Sequence, residues 1–165
     1  MKKYLFALIA FSFLAGACCQ DKIDNEKERI AMADKYVKAW NEGNLSLFDE
    51  VLSTECVRHH VDFSEDLIGI EAIKEYVTSI WTGFPDFNVT VDELIIAEDH
   101  TIARWTVTGT NTGPSGDSPP TGKKVKYSGV EVARVVDGKT IETWIYTNRA
   151  ALLTQLGYII TPPEQ

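Results

Sequence analysis

The chain has 165 residues, 44% of them hydrophobic and 24% charged, which is enough apolar material for one packed domain and argues against wholesale disorder. Its formal net charge is −8, and two of its cations, Lys2 and Lys3, sit in a segment that export would remove. A surface of that sign repels nucleic acid and anionic lipid, and Lys123, Lys124 and Lys126 form only an isolated cluster, so nucleic-acid binding is excluded.

In chain order, residues 1–17 read as a signal peptide: a basic start, the apolar run "YLFALIAFSFL" and a small-residue exit. The run is short for a membrane span. Ala15-Gly16-Ala17 suits ordinary cleavage and a soluble secreted or periplasmic product. The same residues directly before Cys18 resemble a bacterial lipoprotein signal, in which Cys18 carries the lipid and residues 18–26 are its polar tether. The expectation is a protein of the bacterial cell envelope that meets the membrane only through this N-terminal lipid anchor. Cys56 is then the one cysteine in the body of the domain, residues 27–165. A single cysteine makes no internal disulfide, and Cys56 reads as a small buried hydrophobe.

Ile30, Ala33, Tyr36, Val37 and Trp40 recur at helical spacing, and Gly43 stops that helix. A short helix "LSLFDEVL" follows, then the extended "CVRHHV", then a third helix from about Ile70 to Trp81 that "GFPDF" breaks. From there the pattern is β: "FNVTVDELIIA", "TIARWTVTGT", "GKKVKYSGVEVARVV" and "KTIETWIYTN", with a last helix "RAALLTQLG". Helices followed by long antiparallel strands predict an α+β cone, a bent antiparallel barrel-like sheet with three N-terminal helices packed on it.

Asp137-Gly138 is a strong two-residue hairpin turn, and it sets Val136 opposite Lys139. Carried along both strands, that register places Glu131 opposite Trp144, Gly129 opposite Tyr146 and Tyr127 opposite Asn148, all on one face. Val130, Val132, Thr143 and Ile145 fall on the other. An aromatic face with a few convergent polar groups suits a small-molecule pocket, with Trp105, Tyr127, Trp144 and Tyr146 as ligand-binding walls. A carboxylate buried among such rings needs either a wet cavity or a partner such as Arg104. His59 and His60 alternate faces, so one of them points inward; His59 is assigned to the ligand. No placed third ligand supports a metal at His60 and Asp62.

Residues 30–157 resemble the SnoaL-like polyketide cyclase (ester cyclase) family, a branch of the superfamily that includes nuclear transport factor 2 and ketosteroid isomerase. The similarity rests on "WNEGNLSLFDEVL", "FPD", "RWTVTGT", "PPTGKKV", "SGVEV" and "DGKTIETW", in that order. It implies an intramolecular aldol ring closure that needs no metal or organic cofactor. It also implies a carboxylate base in an apolar site, a donor for the developing oxyanion, and a homodimer formed through the other sheet face, for which Val130, Val132 and Ile145 are suited. The family's acid/base aspartate falls on Asn148, the histidine before its tryptophan on Thr143, and a second histidine on Asn111. An amide takes no proton at neutral pH, so Asn148 is cast as a donor and Glu131 as the base. Two readings stand: a cyclase or isomerase acting on a small hydrophobic carbonyl compound, or an envelope-anchored protein that binds such a ligand without turnover.

Overall fold

The computed structural model describes residues 25–62, 64–116 and 118–161; the expected signal peptide and Cys18 lie outside them. Helix α1 occupies residues 25–42, and Gly43 ends it with a φ of 63° that a side chain would disfavour. Helix α2, Ser46–Val51, buries Phe48 and Val51, and the Lys139 ammonium donates to the carbonyls of Asp49 and Glu50 at its C-terminal end. Strands β1, Leu52–His60, and β2, Leu67–Ile68, come next, followed by α3, Ile70–Gly83, which buries Ile73 and Val77. Four strands complete the sheet: β3, Asn88–Ile96; β4, His100–Thr110; β5, Lys124–Val136; and β6, Lys139–Thr147. Helix α4, Arg149–Leu156, closes the described chain and ends at Gly157 in the left-handed conformation.

The six strands form one sheet in the order β2-β1-β6-β5-β4-β3. Two features differ from the expected antiparallel barrel. β1 runs parallel to β6, with the whole of α3 and four strands separating them in sequence, so the sheet is mixed. The outer strands β2 and β3 do not pair with each other, so the sheet is open rather than closed. Nor are the helices one N-terminal block: α1 and α2 precede β1, α3 follows β2, and α4 packs on β5 from the C-terminal side. There Gln155 accepts from the Lys126 N–H and donates to the Lys126 carbonyl, continuing the β5 ladder with a side chain.

Register shifts between Leu52 and Val57, between Val91 and Glu93, and between Arg134 and Val135 interrupt β1, β3 and the β5–β6 pair. Each bulge sharpens the local twist, and together they curl the sheet around its helical side. The core lies between that concave face and the helices, built from Trp40, Phe48, Cys56, Ile73, Val77, Phe84, Phe87 and Val107. No helix among the described residues is long and apolar enough to cross a membrane.

Candidate functional site

The concave face and its helices enclose a cavity of about 460 Å³. Which side chains reach it is set by strand parity. Asp137 and Gly138 both have positive φ, as a two-residue hairpin turn of this kind requires, and Val136 pairs with Lys139 as the sequence predicts. Val135 then pairs with Thr140, but Arg134 pairs with Glu142. Ile141 is the extra residue, and beyond it β6 is turned over. Glu131 therefore lies opposite Ile145, not Trp144, and Gly129 lies opposite Thr147, not Tyr146.

Trp144 and Tyr146 are on the convex face; Trp144 stacks against His59 and His100, and Tyr146 is 52% exposed. Ile145, expected on the convex face, is 1% exposed and lines the cavity. His59 also faces outward, bonded to Asp66 at 2.9 Å and to Glu142 at 3.1 Å, so His60 is the inward histidine. Asn148 is absent from the cavity wall; its side-chain oxygen accepts from the Ala151 N–H as the N-cap of α4. Arg104 is bound on the surface by Asp92 and Glu93 rather than by Glu131. Trp105, Tyr127 and Glu131, all on strands before the bulge, do line the cavity. The Trp105 ring lies over Gly129, where an added Cβ would clash with it, so the absent side chain there makes room for the aromatic wall.

The cavity is apolar over most of its wall, with Val37, Ile80, Phe84, Val91, Leu94 and Leu152 among its lining. Its charged centre is a group that sequence reasoning missed. Arg58, only 5% exposed, projects from β1 with its guanidinium over the Trp40 ring, 5.5 Å from the centroid. His60, Ile145 and Glu131 form one row across β1, β6 and β5, and Arg58, Thr143 and Ala133 form the next. Arg58 must cross two strand spacings, about 10 Å, to reach Glu131, a span that its length allows. Its Nη1 donates to the Tyr36 hydroxyl at 2.7 Å and lies 3.4 Å from Glu131 Oε2; the Tyr36 hydroxyl is also 3.4 Å from Oε2.

Both contacts fall on one carboxylate oxygen. Among the described residues Glu131 Oε1 has no hydrogen-bond partner, and it is not one of the enclosed unpaired atoms, so it opens on the cavity, where the side chain is 13% exposed. Burial pushes the Glu131 carboxyl up from its ordinary range, while the Arg58 charge and the hydrogen bonds from Arg58 and Tyr36 pull it back only in part. Burial likewise drives the Tyr36 hydroxyl upward, so it remains a donor. His60 accepts the Asp62 N–H at Nδ1, and burial together with the Arg58 charge holds it down to about 4, a neutral imidazole at neutral pH. Cys56 is fully buried, and burial pushes its thiol to about 12, as befits a core residue rather than a nucleophile. Among the described residues no group of three or more His, Cys, Asp or Glu is placed to hold a metal ion.

Arg58 carried one legible signal. It shares parity with Cys56 and His60 on a strand whose alternate residues are buried, and a buried arginine demands a partner.

The family model described as SnoaL-like polyketide cyclase matches residues 30–156. Among solved structures, the chain is similar to AclR, a candidate hydroxylase from Streptomyces galilaeus, at 31% identity over 84% of this chain and 86% of that one, with a TM-score of 0.72. A candidate SnoaL-like polyketide cyclase from a Jannaschia species has 21% identity over 83% and 94% of the two chains, with a TM-score of 0.73. IdmH, a candidate polyketide cyclase from Streptomyces antibioticus, has 24% identity over 78% and 97%, with a TM-score of 0.69. The last two, at such identities, establish a common fold and nothing more. No curated protein matches the chain.

Proposed function

The chain belongs to the SnoaL-like polyketide cyclase family, and from that premise we propose that its cavity binds a small hydrophobic carbonyl compound and that Glu131 is the proton acceptor of a cofactor-free cyclase or isomerase. One observation carries this reading: a carboxylate in an apolar cavity, with one oxygen held by Arg58 and Tyr36 and the other open. Held in that way, the carboxylate is oriented without being fully satisfied, and its raised pKa favours taking a proton from carbon. In the reaction a C–H bond next to the carbonyl breaks, the proton moves to Oε1, and the electron pair becomes an enolate. The enolate then attacks an internal carbonyl or is reprotonated elsewhere.

A second reading has its own support. The residue at the position of the family's acid/base aspartate is an amide, and its side chain is engaged in capping α4. That favours a pocket kept for capture without turnover. In either case we propose that the protein is tethered to the cell envelope through Cys18 and pairs as a homodimer through its convex sheet face. The apolar run and small residues before Cys18 support the tether; Val130, Val132, Trp144 and Tyr146 on that face support the dimer.

The two functions separate in deuterated buffer with a panel of hydrophobic ketones, β-keto esters and lactones, followed by NMR. The expected result is binding together with loss of the proton next to the carbonyl, and Glu131→Gln should abolish exchange while leaving binding within a few-fold. Binding without exchange would establish the capture reading for those compounds. Exchange that survives Glu131→Gln would remove Glu131 as the base.

A further inference from the structure

Proton abstraction needs a partner for the negative charge that it leaves on oxygen, and the amide assigned to that task from sequence is not in the cavity wall. We propose that Arg58 is that partner, and that its charge passes from Glu131 to the ligand oxygen as the proton moves.

The inference rests on the Glu131 reading and on where the atoms of the ion pair point. Arg58 Nη1 is occupied by Tyr36 and by Glu131 Oε2. Nε is enclosed and unpaired. Among the described residues Nη2 has no hydrogen-bond partner, and it is not among the enclosed atoms, so on a residue that lines the cavity it is the guanidinium nitrogen left to meet a ligand. Glu131 Oε1 opens on the same space from the other member of the pair. One ion pair thus offers an acceptor and a donor to the same cavity, which matches an enolisable carbonyl compound: its acidic C–H would face Oε1 and its carbonyl oxygen Nη2.

The charge count supports the pairing. Before the reaction the buried guanidinium is neutralised by the Glu131 carboxylate, 3.4 Å away, and the ligand is neutral. Once Oε1 has taken the proton, Glu131 is neutral, and the enolate oxygen is the anion available to Arg58. The cavity's net charge does not change, and in an apolar surround that avoids creating an unpaired charge. A buried lysine would not serve equally, since the planar guanidinium can keep Tyr36 on one nitrogen while offering another.

The ligand class can be tested without knowing the ligand, using a nitrophenol or naphthol whose phenolate has its own absorption band. A phenolate stands in for the enolate: a flat apolar body with its charge on oxygen. With the full chain, the expected result is that the probe binds as phenolate at a pH below its own pKa. Glu131→Gln, which mimics the protonated base, should tighten phenolate binding by about tenfold or more, the scale of a hydrogen bond to a charged group. In the Arg58→Met/Glu131→Gln double variant, which leaves no unpaired buried charge, the phenolate band should vanish. An uncharged naphthalene probe should still enter that variant. A phenolate band that persists there would overturn the assignment to Arg58, as would a Glu131→Gln protein that binds phenolate no better than wild type. If neither phenol nor naphthalene binds the wild type, the cavity reading itself fails, a result distinct from failure of Arg58 alone.

Discussion

Two adjacent residues on β1 illustrate how parity sets chemistry. His60 faces the cavity, where burial and the Arg58 charge depress its pKa to about 4 from the ordinary 6.5. His59 faces outward; burial would lower it, but hydrogen bonds to Glu142 and Asp66 outweigh that and raise it. The two therefore act on stability with opposite signs. Below pH 6.5 the unfolded chain protonates His60 while the folded chain does not, so His60 contributes stability that is lost as pH falls towards about 4. The full swing is on the order of 3 kcal/mol. His59 contributes stability that is complete below the unfolded pKa and disappears as pH rises through its raised folded value. Urea denaturation between about pH 7.5 and pH 5 should show His60→Gln flattening the acid-side loss of stability and His59→Gln steepening it. If the acid-side slope is the same with and without His60, the imidazole is not being held neutral inside the fold.

At the scale of elements, the informative pair is β6 and the α4 that follows it. The position to which the family resemblance assigns the acid/base group falls at their junction, and there Asn148 serves as a helix cap. Asn148→Asp should keep the cap, since a carboxylate accepts the same Ala151 N–H and suits a helix N-terminus. It should leave exchange of ligand protons unchanged, because the side chain is committed to the helix rather than to the cavity. Asn148→Ala should cost about 1 kcal/mol of stability for the same reason. The combined readout is thermal melting beside proton exchange; a gain of turnover in Asn148→Asp would show that the side chain can leave the cap and enter the site. The same strand explains what was legible beforehand. The Asp137-Gly138 turn and the alternation along β5 follow from turn chemistry and spacing, and Trp105, Tyr127 and Glu131 lie in the cavity wall. Past Ile141 every residue of β6 is inverted, because "KTIETWIYT" alternates equally well in either register and nothing in it marks a bulge. The β1–β6 parallel pairing was hidden for a different reason: it joins segments about eighty residues apart with no local signal. With it went the two neighbouring rows that bring His60 and Arg58 to the same face as Glu131.

For the molecule as a whole, the curled sheet gives its two faces different character. The concave side carries the cavity and its Arg58–Glu131 pair, while the convex side carries an apolar row across four strands, Ile95, Ile102, Val132 and Trp144, each paired to the next. Val130 and Tyr146 lie in the adjoining row, and Ile95 and Tyr146 are both more than half exposed. Charged groups border it: Arg104 held by Asp92 and Glu93, and Arg134 paired with Glu142. An apolar stripe with a charged border is the pattern of an interface that a second copy can meet with the same stripe, so that each contact occurs twice. Val132 sits near the middle of the row. Val132→Glu would place a carboxylate there in both subunits, and losing roughly 1.5–3 kcal/mol of apolar burial per copy should weaken association by about a hundredfold or more. Sedimentation velocity should then show dimer giving way to monomer, while a naphthalene probe still enters the cavity of each subunit. A wild-type chain that sediments as a monomer would overturn the dimer outright. Loss of probe binding on dissociation would mean instead that the faces are coupled through the sheet, with the bulged β5–β6 pair, which contributes to both, as the connection.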